Sequence, residues 1–406
     1  MTKKNIWIIN QYSGSKNHGM NYRSYYIGRE LVKLGHHVRL FTGSFSHLLR
    51  VLPKMVKSKF MEEQIDGIDY VWVKTPHYTG SKSLGRIIGM FQFIFNLFLL
   101  KKEKFEKPDV IIVSSISPLP ILNAYYWSKR YKSKLIFEVR DIWPLSLIEL
   151  GGVSRFHPFV IFLQWIENFA YSKADKVISV LPNALEHMEN HGLSPDKFVH
   201  IPNGIDCEEI NNKEKYSDKI PNYNSEGKFL IGYLGTLGIA NALDYFIDAA
   251  EKLKDNHDIS FVLVGQGSEK ERLAKKIYDR KLQNIKIYPA VSKEQVQSVL
   301  AQFDICYVGW FKHPLYRFGI SANKIFDYML SGKPIIHGSN ASNDPIKDAQ
   351  CGISIPAEDA EAFINAIIKL KNRSEKERRE MGENGVKYVN KHHNYSQLAK
   401  KYESIL

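Results

Sequence analysis

Short apolar runs alternate with longer amphipathic stretches along most of this chain. Runs of four to six residues, rich in Ile and Val and bounded by turn residues, predict strands at 5–10, 37–42, 70–73, 110–114, 134–138 and 176–180. Between them, apolar residues at helical spacing predict helices over 22–34, 119–131 and 158–173. This alternation is the βαβ rhythm of a parallel, doubly wound sheet. It breaks at His-Ile-Pro-Asn-Gly-Ile-Asp, 200–206, and a polar, charged stretch with linker composition runs on to about 227. The rhythm then restarts. Strands are predicted at 229–234, 260–264, 285–288, 305–308 and 334–337, and helices at 243–255, 269–281, 293–301, 360–372 and 374–392.

Two α/β domains follow, one over 1–203 and one over 204–392, with a last helix near 393–406 packing back on the first. In such sheets ligands bind beyond the carboxyl ends of the strands, and a cleft between two domains is a second reason to expect a site there. A length of 406 residues with 44% hydrophobic positions supports two buried cores and excludes a disordered chain. Cys207, Cys306 and Cys351 are scattered, which points to a reducing compartment and no structural metal. The opening Met-Thr-Lys-Lys-Asn-Ile-Trp-Ile-Ile-Asn reads as a first strand, not as a signal peptide.

Charge changes the picture next. A formal net charge of +13 calls for nucleic acid, anionic lipid, an anionic substrate or simply a lysine-rich solvated surface. No arginine-rich run interleaved with aromatics appears, which argues against nucleic acid. The stretch 82–107 has an apolar core interrupted by Arg86, Gln92 and Asn96 and followed by Lys101, Lys102 and Lys104. The interruptions argue against a spanning helix. It reads either as a helix lying in a membrane interface or as a core helix of the first domain. Upstream, Arg50, Lys54, Lys57 and Lys59 are mixed with Leu48, Leu49, Val51, Leu52, Met55 and Val56.

The richest chemistry lies in Tyr-Arg-Phe-Gly-Ile-Ser-Ala-Asn-Lys-Ile-Phe-Asp-Tyr-Met-Leu-Ser-Gly-Lys-Pro, 316–334. Ser321 and Asn323 are good caps for a helix that Gly332 and Pro334 end. A helix N-terminus suits phosphate, and Arg317 and Lys324 would add cations to it. A surface salt bridge is the plain alternative for each. Asp327, one turn further on, could accept hydrogen bonds from ribose hydroxyls. Three glycine turns follow predicted strands: one with Gly14 and Gly19, one with Gly235, and one with Gly265 and Gly267. Each could bring amides to a phosphate or simply turn the chain. None completes a dinucleotide fingerprint or a P-loop.

Taken in order, these segments resemble the retaining glycosyltransferases of family 4, which have the GT-B architecture of two facing Rossmann-like domains. The resemblance rests on Gly19, Gly-His-His-Val-Arg-Leu-Phe-Thr at 35–42, Ile-Pro-Asn-Gly-Ile-Asp at 201–206, Val-Gly-Gln-Gly at 264–267 and the Lys324 helix. Glu-Val-Arg-Asp-Ile-Trp-Pro at 138–144, Gly-Thr-Leu-Gly-Ile-Ala-Asn-Ala-Leu at 235–243 and 314–324 narrow it to the branch that builds bacterial O-antigen and capsule units, N-acetyl-fucosamine transferases included. It implies a UDP-sugar donor, a polyprenyl-diphosphate-linked acceptor, no cofactor or metal, and a peripheral place at the inner face of a bacterial plasma membrane. Thr236 and Asn241 stand where family members often carry Arg and Lys. Gly319 stands where the first of two paired glutamates is common, so the ribose role falls on Asp327. Arg140 and Asp141, just after a strand, are placed against acceptor or donor sugar, with a cap or buried ion pair as the other reading of Asp141; Glu138 reads as structural. His18 is placed on the acceptor side or as a plain loop histidine, and Asn203 and Gly204 at the hinge. The base falls to backbone near Val291. Two rivals stay open: an epimerase or hydrolase of the same fold, which needs an acid–base set, and a basic non-catalytic membrane-binding protein.

Overall fold

The computed structural model describes every residue except Met1, Met20, Val56, Lys57, Ser81, Lys82, Lys102, Glu103 and Ser225. The chain forms two compact units, Met1–Asn203 with Tyr395–Leu406, and Gly204–Asn394.

The first unit carries strands β1 (Asn5–Ile9), β2 (His37–Gly43), β3 (Phe60–Ile65), β4 (Ile68–Val73), β5 (Val110–Ser115), β6 (Lys134–Val139), β7 (Lys176–Ser179) and β8 (Phe198–His200). Its helices are α1 (Arg23–Lys33), α2 (Leu84–Leu99), α3 (Ile121–Tyr131), α4 (Leu145–Glu149), α5 (Pro158–Lys173) and α6 (Leu185–Asn190). The strand order is β3-β4-β2-β1-β5-β6-β7-β8. Every pairing is parallel except β3 with β4. Helices cover both faces of such a sheet, so β5 is buried at all six positions, as its continuous Val-Ile-Ile-Val-Ser-Ser run anticipates. The sequence reading passes over β3. Its Phe-Met-Glu-Glu-Gln-Ile pattern belongs to a half-exposed edge, and the Asp66-Gly67 turn, with φ of +48° and +80°, folds it back on β4.

The second unit carries β9 (Phe229–Leu234), β10 (Ile259–Val264), β11 (Ile285–Tyr288), β12 (Ile305–Gly309), β13 (Ile335–Gly338) and β14 (Gly352–Ile355). Its helices are α7 (Asn212–Lys215), α8 (Asp244–Lys252), α9 (Lys270–Asp279), α10 (Val296–Ala301), α11 (Asn323–Ser331), α12 (Pro345–Ala349), α13 (Ala360–Lys371) and α14 (Glu375–His392). The sheet is wholly parallel in the order β11-β10-β9-β12-β13-β14. The order reverses between β9 and β12, and that reversal opens a crevice at their carboxyl ends. The last helix, α15 (Tyr395–Glu403), belongs to the first unit, where Tyr395 stacks on Tyr26 of α1 at 4.7 Å.

A buried polar knot fixes the first unit. Arg23 and Glu138 are each 2% exposed and pair at 2.7 Å. The same guanidinium donates to the carbonyls of Ile201 (2.8 Å) and Pro202 (2.5 Å), while Ser114 donates to Glu138 at 2.5 Å. Tyr402 of α15 donates to Glu138 as well. Burial opposes ionisation of Glu138, yet Arg23 and Arg140 hold its carboxyl below the usual range. Glu138 is thus structural: it ties β6, α1, α15 and the 201–203 segment together.

Candidate functional site

The crevice of the second unit is built around Lys324. Tyr233 sits near the end of β9 and Trp310 directly follows β12. The Lys324 ammonium lies 5.1 Å from the first ring and 4.7 Å from the second. It donates to Tyr233 Oη at 3.2 Å and to Asn241 Oδ1. Asn241 in turn donates to the Thr236 carbonyl at 2.8 Å, which Tyr233 Oη also meets at 2.7 Å. Thr236 and Asn241 therefore hold the lysine in the turn after β9. Trp310 is fixed from behind: its Nε1 donates to His337 Nε2 at 3.1 Å, and His337 Nδ1 meets Asp344 at 3.0 Å.

Among the described residues no carboxylate pairs with Lys324. Burial alone pushes its amine down to about 7. Its helix adds a second anion-seeking feature. The cap of α11 is Ala322, which has no side-chain acceptor to offer the first amides. Ser321 and Asn323, expected as caps, flank that position instead: Ser321 lies in the preceding loop and Asn323 is the exposed first helical residue. The Gly319 backbone has φ of +97°, which a glutamate side chain would strain, so local geometry accounts for the missing first carboxylate. Asn343 pins the loop by bonding both backbone groups of Ile320 (2.7 and 3.0 Å).

Asp327 is engaged. Lys293 meets it at 2.5 Å and Glu209 at 2.8 Å. Although burial works against it, these carboxylates hold the Lys293 ammonium above the ordinary lysine range. The pair joins α11 to the segment after β11, where Val291 packs on the core. Arg317 lies in a short turn, Pro314–Phe318. It is exposed, donates to the Pro314 carbonyl at 2.8 Å and lies 4.2 Å from the Phe318 ring. Gly235 and Gly265 donate from adjacent strand ends to Val264 and Tyr288, each at 3.0 Å. A Cβ at Gly265 would stand 1.9 Å from the Gly235 carbonyl, so this glycine permits the two turns to interlock. Both amides are therefore spent within the protein.

In the first unit, Gly14 donates to Asn21 O (3.2 Å) and Gly19 to Ser15 O (2.9 Å), so neither amide is presented to a phosphate. His18 is buried. Its Nδ1 meets Ser15 Oγ at 2.9 Å, its Nε2 is 3.6 Å from Glu63, and its ring lies 4.7 Å from Trp72. Desolvation lowers its pKa. This is a loop-fixing histidine. Arg140 donates to Asn21 Oδ1, and burial lowers its pKa. Asp141 is exposed at the same turn. Arg86 of α2 lies 5.3 Å from the Tyr12 ring and 5.8 Å from Trp143.

As walls and partners of this site, Tyr233, Trp310 and Lys293 were missed in the sequence. The available signal was positional: aromatics at the ends of β9 and β12, on either side of the strand-order reversal.

Residues 18–209 match the family model described as Glycosyltransferase Family 4, and residues 228–373 the model described as Glycosyl transferases group 1. The putative colanic acid biosynthesis glycosyl transferase WcaI of Escherichia coli K12 is 23% identical over 249 residues, covering 59% of this chain and 60% of that protein. The chain thus spans about 60% of the length of the curated relatives it matches first. Among solved structures, sucrose-phosphate synthase from Thermosynechococcus elongatus superposes with a TM-score of 0.74 at 15% identity, covering 99% of this chain and 98% of that one. Anabaena Alr3699/HepE in complex with UDP and glucose superposes at 0.68 with 14% identity, covering 99% of each chain. These likenesses show the GT-B fold of two parallel-sheet α/β domains.

Proposed function

We propose that this chain, whose two halves carry glycosyltransferase domains of the family-4 type, transfers a sugar from a UDP-linked donor with retention of anomeric configuration. One observation carries the reading. Lys324 is a lysine amine without a carboxylate partner among the described residues, held by neutral groups beside an uncapped helix start at the strand-order reversal. A diphosphate supplies the missing counter-charge. Alr3699/HepE, which shares the fold, is described with UDP and glucose bound.

The chemistry follows from where charge develops. The bond between the anomeric carbon and the diphosphate oxygen breaks, and negative charge grows on the leaving group. Lys324 and the first amides of α11 stabilise that charge. The acceptor hydroxyl attacks from the face the diphosphate leaves. Its proton passes to the departing phosphate oxygen, giving UDP and a retained glycosidic bond. Asp327, steadied by Lys293, takes the ribose hydroxyls, and backbone around Val291 takes the base. Arg317 reaches the diphosphate from its exposed turn, and Arg140 and Asp141 orient the acceptor. No step in this scheme calls on a metal.

The acceptor in this reading is a saccharide on a polyprenyl diphosphate, and the donor an N-acetylated deoxyhexosamine. The exposed face of α2 supports a membrane-bound acceptor. Leu84, Ile88, Phe91 and Phe95 point to solvent, and Phe91 stacks on Phe162 of α5 at 6.0 Å, beside an exposed Trp165. Exposed Lys101 and Lys104 follow α2 in the chain, and exposed Arg155 precedes α5. That pairing of apolar face and flanking cations suits an anionic lipid surface. Thermal unfolding with nucleotides tests the donor reading. UDP is expected to raise Tm, and an unchanged Tm with both UDP and GDP rejects a nucleotide-sugar enzyme altogether.

A further inference from the structure

We propose that Glu167, His187 and His191 form a binding site for one divalent transition-metal ion of the zinc class, on the first unit and separate from the Lys324 crevice. A donor atom from each lies within 4.8 Å of the other two. Glu167 is 2% exposed on α5. His187 lies in α6 and His191 caps its end, one turn apart, so both rings project on one side with centroids 4.2 Å apart.

One pair of donors stands at ligand spacing. His187 Nε2 stands 3.5 Å from Glu167 Oε1, long for a hydrogen bond. Two ligands at ~2.0–2.1 Å from a tetrahedral zinc would stand about 3.4 Å apart. The outer contacts that orient metal ligands are also present. Tyr171 Oη donates to Glu167 Oε1 at 2.8 Å and Gln164 Nε2 to Oε2 at 2.7 Å, which aims the carboxylate. His191 Nδ1 contacts the His187 carbonyl at 2.7 Å; donating there leaves the ring lone pair on Nε2. Two imidazoles and a carboxylate suit zinc and leave a fourth position for water. An open groove along Trp165, Phe169, Ser172 and Asn190 reaches His191 and gives the ion a path in. Bound metal would clamp α5 to α6. A protonated histidine paired with Glu167 is the metal-free account of the same geometry, and it predicts no response to zinc.

The test uses the full chain after chelation. Cobalt(II) is titrated and read by visible absorption, and zinc chloride is titrated and read by thermal unfolding. The expected result is one saturable equivalent, a tetrahedral cobalt band and a zinc-dependent rise in Tm of several degrees. Glu167→Gln should weaken the metal by more than the ~10–100-fold that loss of an outer-shell partner costs. His191→Gln, at a partly exposed position, should abolish the rise while leaving the far-ultraviolet spectrum intact. Absence of stoichiometric binding overturns the site, and so does binding retained at full strength in a His187→Ala/His191→Ala variant.

Discussion

In the proposed reading, Lys324 is the residue on which the donor site turns. Its amine sits near 7 in the folded protein against an ordinary 10.5, because burial disfavours the charge and no carboxylate offsets it. The folded state therefore holds fewer protons here than the unfolded chain between about pH 7 and 10.5. Stability from this group rises with pH across that window, and the full cost of a buried ammonium is felt below it. A diphosphate reverses the balance. At pH 8, UDP binding is expected to draw a proton from buffer. Calorimetry in buffers of different ionisation heat should show the dependence, and it should vanish in Lys324→Met; buffer-independent heats in the native protein would sink the assignment. Turnover in Lys324→Met is expected to fall roughly 10²–10³-fold, the scale for losing one preorganised donor. Arg317→Ala should cost less than Lys324→Met, since Arg317 is exposed on a short turn whereas Lys324 is enclosed by two aromatic rings. Much of this was legible: Lys324, Thr236, Asn241 and Asp327 stand out in the sequence. That Asn241 grips Lys324, and that Lys293 grips Asp327 from 34 residues away, was not, because spacing along a chain says nothing of neighbours across a sheet.

At the scale of elements, α2 shows the sequence signal inverted by tertiary structure. Arg86 and Asn96 look like interruptions of an apolar helix. In the fold they are inward anchors: Asn96 is 3% exposed and donates to the Lys74 carbonyl at 2.8 Å, and Arg86 faces the Tyr12 and Trp143 rings. The solvent face keeps the greasier residues, with Leu84 at 77% and Phe95 at 60% exposure. The α1–β6 knot is a second such case. Arg23 lies in an unremarkable Tyr-Arg-Ser-Tyr-Tyr run, yet pairs with a glutamate 115 residues on. Arg23→Met should leave Glu138 buried without its partner and cost ~3–5 kcal/mol of stability in urea unfolding. A loss below about 1 kcal/mol would show that Tyr402, Ser114 and the backbone carry the knot without it.

For the whole molecule, the charge of +13 and the apolar face of α2 and α5 become one prediction. Vesicles containing anionic lipid should float the protein at low salt, with binding falling as salt rises. Phe91→Ser combined with Phe95→Ser should abolish flotation and leave UDP stabilisation unchanged; no flotation of the native protein would make α2 and α5 ordinary surface helices. Lys57, Val56, Lys82 and Lys102, which the sequence places in the same basic and apolar stretches, lie outside the described residues. Among the described residues no helix is long and apolar enough to cross a membrane. The sequence by itself determined the alternation of strand and helix, the break near Asn203 and the parallel sheets. Those are properties of local periodicity and turn residues, which each segment holds without its partners. Strand order, the reversal between β9 and β12, and the walls that Tyr233 and Trp310 build around Lys324 were decided only by tertiary structure. They depend on which buried surfaces meet, and that is settled by packing between segments far apart in the chain.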